Sequence, residues 1–195
     1  MDYKNIYNQN EFTGATANPL MPTPDAIDEA FAVAANQIIN NAVELARQLI
    51  GTHQAAIAIV INKDWHYVRK FFSLSEKYAA WANYAEPATG YGIHAYLLHH
   101  NKAMRFTQQE LEAHPQWKNF GAEEGKHPPM NGWLAVPIID SSNTNWGLMQ
   151  LSDKYEGEFT AADEQTFTQF AAIVSQALDA LWQVRNLKKQ LVLQS

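Results

Sequence analysis

The histidines in the middle of the chain are the first candidates for chemistry. Five of the seven histidines lie between His94 and His127. His99 and His100 are adjacent, so on a helix their side chains would point about 100° apart, which is poor geometry for binding one metal ion. His94 is better placed as a single axial ligand or as a hydrogen-bonding group in a pocket, although a lone histidine is more often a surface or satisfied core residue. No metal site is predicted.

Aromatic residues surround the same part of the chain: Tyr84, Tyr91, Tyr96, Trp117, Phe120 and Trp133. Aromatic walls with a few polar tips suit a planar or apolar ligand, and they suit an ordinary core packed under long loops nearly as well. The segment Gly125 to Pro129 would form a stiff rim beside them. Lys126 and His127 in that rim could offer positive charge to an anion or could simply be solvated.

Catalysis is not predicted for this chain. It contains no cysteine, which excludes disulfides, cysteine nucleophiles and thioether-linked chromophores such as covalently attached bilins. Glu123, Glu124 and Asp140 have no partner carboxylate at a readable spacing. No Ser-His-Asp arrangement and no phosphate-cradling glycine loop is recognisable. We interpret the protein as a non-enzyme whose cofactor is unknown; a non-covalent small molecule, including a non-covalent tetrapyrrole, is compatible with the sequence.

Composition limits the classes of partner that the protein is expected to bind. The chain has 195 residues, 47% of them apolar, and a formal net charge of −6, so it can bury a sizeable core and has no basic stripe for nucleic acid. No apolar run approaches the roughly 20 residues that span a bilayer, and the first 25 residues do not resemble a secretory signal. A cytoplasmic protein with no nucleic-acid and no membrane partner is expected.

The first half of the chain predicts an arm, a helix and a strand pair. Residues 1–24 are polar and Asn-rich, which indicates a flexible arm. Thr23 can cap a helix that has Pro24 in its first turn and ends at Gly51. Apolar runs then predict strands over residues 55–61 and 65–73. Residues 74–130 are irregular, with a short helix near 95–101 and a strand near 103–107.

Residues 132–164 predict two central strands and the start of a helix. The run from Trp133 to Ile139 is apolar on both faces, Asp140 to Asn145 form a polar turn, and a strand resumes at Trp146 to Leu151. Thr160 and Asp163 then stand at capping-box spacing. The element order is therefore α+β with a mostly antiparallel sheet.

The last helix is predicted from Ala161 to about Leu193, with a heptad seam. The seam consists of Phe167, Phe170, Val174, Ala177, Leu181, Val184 and, after an interruption at Lys188, Leu191. We expect the first half, up to Ala177, to cover the sheet of its own domain. Beyond Leu181 the helix is expected to outrun that domain, which favours a two-stranded contact in a homodimer.

Four segments together resemble a GAF domain: His114 to Pro129, Gly132 to Ile138, Trp146 to Glu164 and Phe170 to Leu181. The resemblance is strongest to the GAF sensor modules of bacterial signalling proteins such as the histidine kinases of two-component systems. The resemblance implies a GAF domain over residues 25–187, with 188–195 ending a signalling helix. It also implies a five- or six-stranded sheet with the terminal helices on one face and a ligand pocket on the other. Pocket residues are expected to be Tyr91, His94, Tyr96, Trp117, His127 and Trp133.

Some GAF domains that bind cyclic nucleotides share an Asn-Lys, Phe, Asp-Glu signature. Here Asp153-Lys154, Phe159 and Asp163-Glu164 stand in that order, with Asp in place of Asn. Lys154 follows the last strand and Asp163 lies in the first helical turn, so we interpret Lys154 and Asp163 as a structural ion pair rather than as a nucleotide site.

Two functions fit these features. The first is a sensor that binds a small molecule, shifts its terminal helices in a dimer and passes the signal to a partner protein or kinase. The second is a ligand-free dimerisation or interaction scaffold whose pocket is filled by its own aromatic residues. The presence of a bound ligand would distinguish the sensor from the scaffold, whereas a heptad seam is expected in both. We favour the sensor.

Overall fold

A computed structural model describes residues 23–61, 64–81, 92–118 and 127–194, so residues 1–22 of the predicted arm lie outside it. Helix α1 (Pro24–Ile50) begins and ends as the sequence predicts. The hydroxyl of Thr23 accepts a hydrogen bond from the amide of Ala26 at 3.2 Å. Gly51 adopts a left-handed φ of 74° and donates its amide to the carbonyl of Arg47, which is the usual way for glycine to end a helix.

Five strands form one antiparallel sheet in the order β2-β1-β5-β4-β3. The strands are β1 (Thr52–Ile61), β2 (Asp64–Leu74), β3 (Met104–Phe106), β4 (Trp133–Ile139) and β5 (Asn145–Lys154). The predicted α+β class with an antiparallel sheet is confirmed. Strand β5 continues past Leu151 to Lys154, and this extension carries two polar residues, Ser152 and Asp153, that are buried.

Three short helices complete the described elements before the last helix. Helix α2 (Gly92–His100) was predicted a few residues later, and a 3₁₀ helix (Glu76–Trp81) was not predicted. Helix α3 (Gln108–Ala113) was also missed. Its start is a full capping box between Thr107 and Glu110, so the Thr-x-x-Glu spacing was a readable signal for it.

The two faces of the sheet carry different layers. Helices α1 and α4 (Ala161–Gln194) cover one face, where the core includes Ile57, Leu134, Val136, Met149, Leu151 and Phe167. Helices α2 and α3 lie over part of the opposite face, with a second cluster of Ala58, Ile93, Leu97, Leu111, Trp133, Ala135 and Leu148. Alternation along β4 explains why both of its faces are buried. The predicted arrangement of terminal helices on one face is confirmed.

The end of α4 packs along α1 of the same chain. The rings of Phe31 and Trp182 meet edge to face with centroids 5.4 Å apart. Arg185 and Lys189 each place a nitrogen 2.6 Å from the carboxylate of Asp28. The expectation that α4 outruns its own domain beyond Leu181 was therefore wrong, because the first turns of α1 extend equally far and supply an intrachain helical partner.

Within the parts of the chain that the structure describes, no helix is both long and apolar enough to cross a membrane.

Candidate functional site

A cavity opens on the sheet face opposite α1 and α4. It contains about 230 Å³ of empty space, part of which is open to solvent. Its lining combines polar side chains with apolar ones: Gln54, Ala55, Ala56, Phe72, His127, Met130, Gln150 and Ser152. The polar members are unusual because they are buried, with Gln54 at 6%, Gln150 at 9% and Ser152 at 5% exposure. Buried polar groups are costly unless they have partners, so this floor is a candidate binding site.

Strand register brings these polar side chains to one face. Gln54 on β1 lies directly opposite Ser152 on β5, and Ala56 lies opposite Gln150. Because side chains alternate between faces along a strand, Gln54, Gln150 and Ser152 all point away from α1 and α4. Ala56 lies on the same face and also lines the cavity.

Gln150 is held by the residues behind it. The indole Nε1 of Trp133 donates to Gln150 Oε1 at 3.0 Å, and His94 Nε2 lies 2.6 Å from the same oxygen. Since an amide oxygen can only accept, His94 must carry a proton on Nε2. Trp133 is fully buried and His94 is half-buried. Together they fix the orientation of the amide, because both contact its oxygen and the NH₂ group then points away from them.

The rim of the cavity is fixed by backbone carbonyl groups. Gln54 Nε2 donates to the carbonyl oxygen of Pro129. His127 is buried, and its Nδ1 lies 2.6 Å from the carbonyl oxygen of Pro128, so this nitrogen donates as well. The predicted rim residue His127 therefore lies in the cavity wall rather than in solvent.

The predicted pocket residues thus fall into three groups. His127 lines the cavity, and His94 and Trp133 contact its floor through Gln150. Tyr96 and Trp117 pack against the apolar cluster under α2 and α3, where the Tyr96 ring lies 4.8 Å from that of His114. Tyr91 lies outside the described residues, as do Tyr84 and Phe120.

The three polar residues of the floor were not predicted from the sequence. Gln54 follows Thr52 at an alternate position of β1, and Gln150 and Ser152 alternate with the apolar Met149 and Leu151. Polar residues that recur every second position of an otherwise apolar strand were the available signal. Among the residues that the structure describes, no cluster of His, Asp and Glu could hold a metal ion.

The predicted ion pair lies between the sheet and the start of α4. Lys154 Nζ is 2.6 Å from Asp163 Oδ2, and both side chains are more than four-fifths buried. The same carboxylate oxygen accepts from the amide of Thr160 at 2.7 Å and from its hydroxyl at 2.8 Å, while Thr160 Oγ1 accepts from the amide of Asp163. Asp163 therefore joins the end of β5 to the first turn of α4.

We expect Asp163→Ala to lower the free energy of unfolding by about 1–2 kcal/mol at pH 7, through loss of the cap and of the ion pair. Burial by itself would raise the pKa of Asp163, but hydrogen bonds from Lys154 and Thr160 outweigh it and hold the pKa below its ordinary value. A lowered folded-state pKa stabilises the protein above about pH 4, and this stabilisation is lost as pH falls through that pKa.

Urea unfolding at pH 7 and at pH 3 measures the effect. The difference between Asp163→Ala and the unchanged protein should shrink at pH 3, whereas an equal difference at both pH values would contradict the role of the ionised carboxylate. Ala162→Ser, an exposed change in the same helical turn, is the matched control and should have little effect at either pH.

A second buried carboxylate ties the 3₁₀ helix to the sheet. Asp153 is 3% exposed and adopts a left-handed φ of 55°. Its Oδ2 accepts from Lys77 Nζ and, at 2.6 Å, from the hydroxyl of Tyr78. Burial favours a raised pKa for Asp153, but the bonds from Lys77 and Tyr78 outweigh it and lower the pKa. In this chain the Asp at the Asn position of the signature is therefore a structural anchor.

Helix α4 carries two apolar faces. Phe167, Phe170, Val174 and Leu181 of the predicted seam pack on the core of their own domain. Val184 is 46% exposed and Leu191 is 61% exposed. These two residues belong instead to a solvent-facing row, here called the outer stripe: Ile173, Ala177, Ala180, Val184, Leu187 and Leu191.

The family model described as "GAF domain" matches residues 35–178. No curated protein matches the chain. Among solved structures, the GAF domain of a phosphoenolpyruvate-protein phosphotransferase from Coxiella burnetii is similar with 15% identity and a TM-score of 0.59, over 84% of this chain and 94% of that chain.

Two further structures have the same fold. A cyanobacteriochrome GAF domain matches with 12% identity and a TM-score of 0.58, over 85% of this chain and 98% of that one. A free methionine-R-sulfoxide reductase from Neisseria meningitidis, solved with its substrate, matches with 13% identity and a TM-score of 0.57, over 83% of this chain and 89% of that one. At these identities the likeness shows the fold.

Proposed function

Since the chain belongs to the GAF domain family, we propose that it is a sensory or regulatory module that binds a small molecule in the cavity on the open face of the sheet. The observation that carries this proposal is the buried polar floor of Gln54, Gln150 and Ser152. A pocket filled by its own aromatic residues would not need buried amides, because apolar side chains pack there at lower cost. This favours the sensor over the ligand-free scaffold.

Binding without catalysis is the role that the cavity supports best. Its described lining contains no Asp, Glu, Lys or Arg side chain, and its one imidazole, that of His127, uses Nδ1 to hold the rim. General acid–base catalysis needs a titratable group within hydrogen-bond reach of the reacting atoms. A free methionine-R-sulfoxide reductase shares the fold, but a likeness at 13% identity carries no activity over to this chain.

Strand β5 offers a direct route from the cavity to α4. Gln150 and Ser152 contribute to the cavity floor, and Lys154 at the end of the same strand holds Asp163 in the first turn of α4. On the edge strand β3, Arg105 donates to the carbonyl oxygen of Phe159 at 3.2 Å and contacts Glu164. A ligand that moves β5 or β3 would therefore move the start of α4, and a coupling of about 1–3 kcal/mol is ordinary for such a relay.

The outer stripe supplies the contact through which two copies would communicate. Its residues recur at spacings of four, three, four, three and four along α4, which is the heptad pattern of helices that pack side by side. The face that packs on the domain is separate from it, so a second copy could bind without disturbing the core. We propose a homodimer with the two α4 helices in contact.

To test the dimer, Val184→Asp combined with Leu191→Asp should convert it to a monomer, because each charge would be desolvated in the seam. Leu181 is left unchanged since it packs on the core. Sedimentation velocity measures the result, and Gln183→Asp combined with Gln190→Asp, on another exposed face of α4, should leave the dimer intact. A dimer that survives the first pair, or an unchanged protein that is already monomeric, contradicts the outer stripe as the interface.

To test ligand binding, a small-molecule extract of the cells that make the protein is added to ¹⁵N-labelled protein, with a mock extract as the control. The indole resonance of Trp133, assigned with Trp133→Phe, should shift because that indole contacts the cavity floor. The indole of Trp182 lies at the contact between α1 and α4 and should respond as well if the signal reaches α4. No change at Trp133 would contradict the binding site.

A further inference from the structure

We propose that residues 127–132 form a movable strap over the cavity, and that the hydrogen bond from Gln54 to the carbonyl oxygen of Pro129 is the latch that keeps the strap closed. This inference rests on the proposed function, because it concerns how the same site opens to its ligand. It follows from the small enclosed space of the cavity, from the open polar atoms of its floor and from the few bonds that hold the strap.

The cavity is closed in the structure. Its 230 Å³ of empty space includes open solvent, and the enclosed part has room for about one water molecule. Ligand pockets usually measure about 300–1,000 Å³, so a ligand of ordinary size does not fit while the strap lies in this position. A sensor whose ligand reaches the floor therefore needs a part of the lining to move.

The floor has open hydrogen-bonding atoms in this closed state. The hydroxyl of Ser152, the NH₂ group of Gln150 and Oε1 of Gln54 have no partner in the part of the chain that the structure describes. All three residues are more than nine-tenths buried. Because buried polar groups without partners are costly, a ligand that supplies those partners would compensate for the opening of the strap.

The strap is the part of the lining that is held most loosely. The lining residues outside it lie on β1, β2 and β5, which are bonded to one another along ladders. Residues 127–132 belong to no helix or strand, and Pro128 and Pro129 have no backbone N–H group to donate. Within the described residues, the stretch from Pro128 to Met130 makes one hydrogen bond to the sheet, and Gln54 is its donor.

Gln54 is suited to be a latch because it belongs to the floor as well. Its side chain is buried on β1, whereas Pro129, whose carbonyl it holds, is exposed. When this bond breaks, the freed amide group of Gln54 can bind a ligand in place of the strap. The same side chain therefore has a partner in the closed state and in the liganded state, so ligand binding and closure by the latch compete for it.

The other end of the strap is anchored beside the relay to α4. The carbonyl oxygen of Asn131 accepts from the amide of Asp153 at 2.9 Å, and the amide of Gly132 donates to Gln108 Oε1 at 2.9 Å. Asp153 precedes Lys154, whose ion pair holds the start of α4. Movement of the strap about this anchor would therefore reach the end of β5 and, through it, the first turn of α4.

Hydrogen–deuterium exchange of the Trp133 indole, followed by NMR, measures how often the strap opens. This indole is fully buried and donates to Gln150 at the floor, so solvent reaches it only through an opening. Gln54→Leu keeps an apolar side chain at the position but cannot donate to Pro129. We expect the Trp133 indole to exchange about 10-fold faster or more in this variant, because local opening controls exchange at buried sites.

A second variant and two controls accompany this measurement. Met130→Ala leaves the latch intact but shortens the contact of the strap with the apolar cluster under α2 and α3, and it should also speed exchange at Trp133. Gln37→Leu repeats the first chemical change on an exposed face of α1 and should have no effect. The indole of Trp146 bonds to Asp140, away from the cavity, and should keep its exchange rate in every variant.

The outcomes separate the latch from the proposed function. Exchange at Trp133 that stays unchanged in either Gln54→Leu or Met130→Ala would overturn the strap, and so would an equal acceleration at Trp146, which would indicate loosening of the whole domain. If the cell extract shifts the Trp133 resonance while the variants exchange no faster, the sensor function stands and the latch is wrong. If the variants exchange faster but the extract has no effect, the strap moves as proposed and the ligand site is wrong.

Discussion

Replacing Phe167 with alanine is expected to lower the free energy of unfolding by about 3–5 kcal/mol. Phe167 is fully buried where α4 crosses the sheet, and it belongs to the core that α1, α4, β4 and β5 share. Removal of the ring deletes its apolar contacts and leaves a cavity that neighbouring elements can fill only in part. The same change would also loosen the first half of α4, which the proposed relay needs to be rigid.

Equilibrium urea unfolding, followed by circular dichroism, measures this effect. Gln169→Ala, two residues away on an exposed position of the same helix, is the matched control and should change stability by no more than about 0.5 kcal/mol. A loss below about 1 kcal/mol for Phe167→Ala would contradict the packing of α4 on the sheet.

Gly147→Ala is expected to be the other severe substitution, with a loss of about 3 kcal/mol or more. Gly147 has a φ of 153°, and a Cβ atom added there would lie 1.9 Å from the carbonyl oxygen of Ala58. That oxygen belongs to the neighbouring strand β1, so relief of the clash would require the β1–β5 ladder to open. The ladder also positions Gln54 opposite Ser152, so ligand binding should be lost together with stability.

Gly157→Ala separates backbone strain from the clash. Gly157 also has a left-handed φ, of 64°, but nothing lies within 4 Å of the added Cβ atom. Gly157→Ala should lower the free energy of unfolding only by the strain of a non-glycine residue in that conformation, about 1 kcal/mol. Thermal unfolding of both variants measures the two losses of stability. Equal losses would show that the close approach to Ala58 is not the reason why position 147 requires glycine.

Local signals predicted much of the fold because they depend on neighbouring residues. Thr23 and Gly51 marked both ends of α1, and the turn from Asp140 predicted the β4–β5 hairpin. The helix start at Ala161 followed from Thr160 and Asp163, whose reciprocal bonds are present. Each of these features is decided within a few residues, so the sequence carries the information directly.

The cavity floor was harder to predict because it depends on strand register. Gln54 and Ser152 are almost one hundred positions apart in the chain and become neighbours only through pairing of β1 with β5. The sequence did point to His94, His127 and Trp133, which hold the floor and rim. It could not show that His94 and Trp133 act through Gln150, since that contact needs two strands and α2 in place.

The apolar pattern of α4 was ambiguous for a related reason. A helix with apolar residues on a broad arc presents several overlapping heptad rows, and the sequence does not say which row meets its own sheet. Packing assigns Phe167, Val174 and Leu181 to the domain. The outer stripe is displaced around the helix and became visible only once the exposure of Val184 and Leu191 was known.

Native mass spectrometry of protein purified gently from its own host tests the central claim most directly. We expect a dimer that carries a reproducible excess mass from a small molecule, and we expect Gln150→Glu to lose that mass while Gln48→Glu retains it. A protein found only at the bare polypeptide mass, or an excess mass that Gln150→Glu leaves unchanged, would contradict ligand sensing at this cavity.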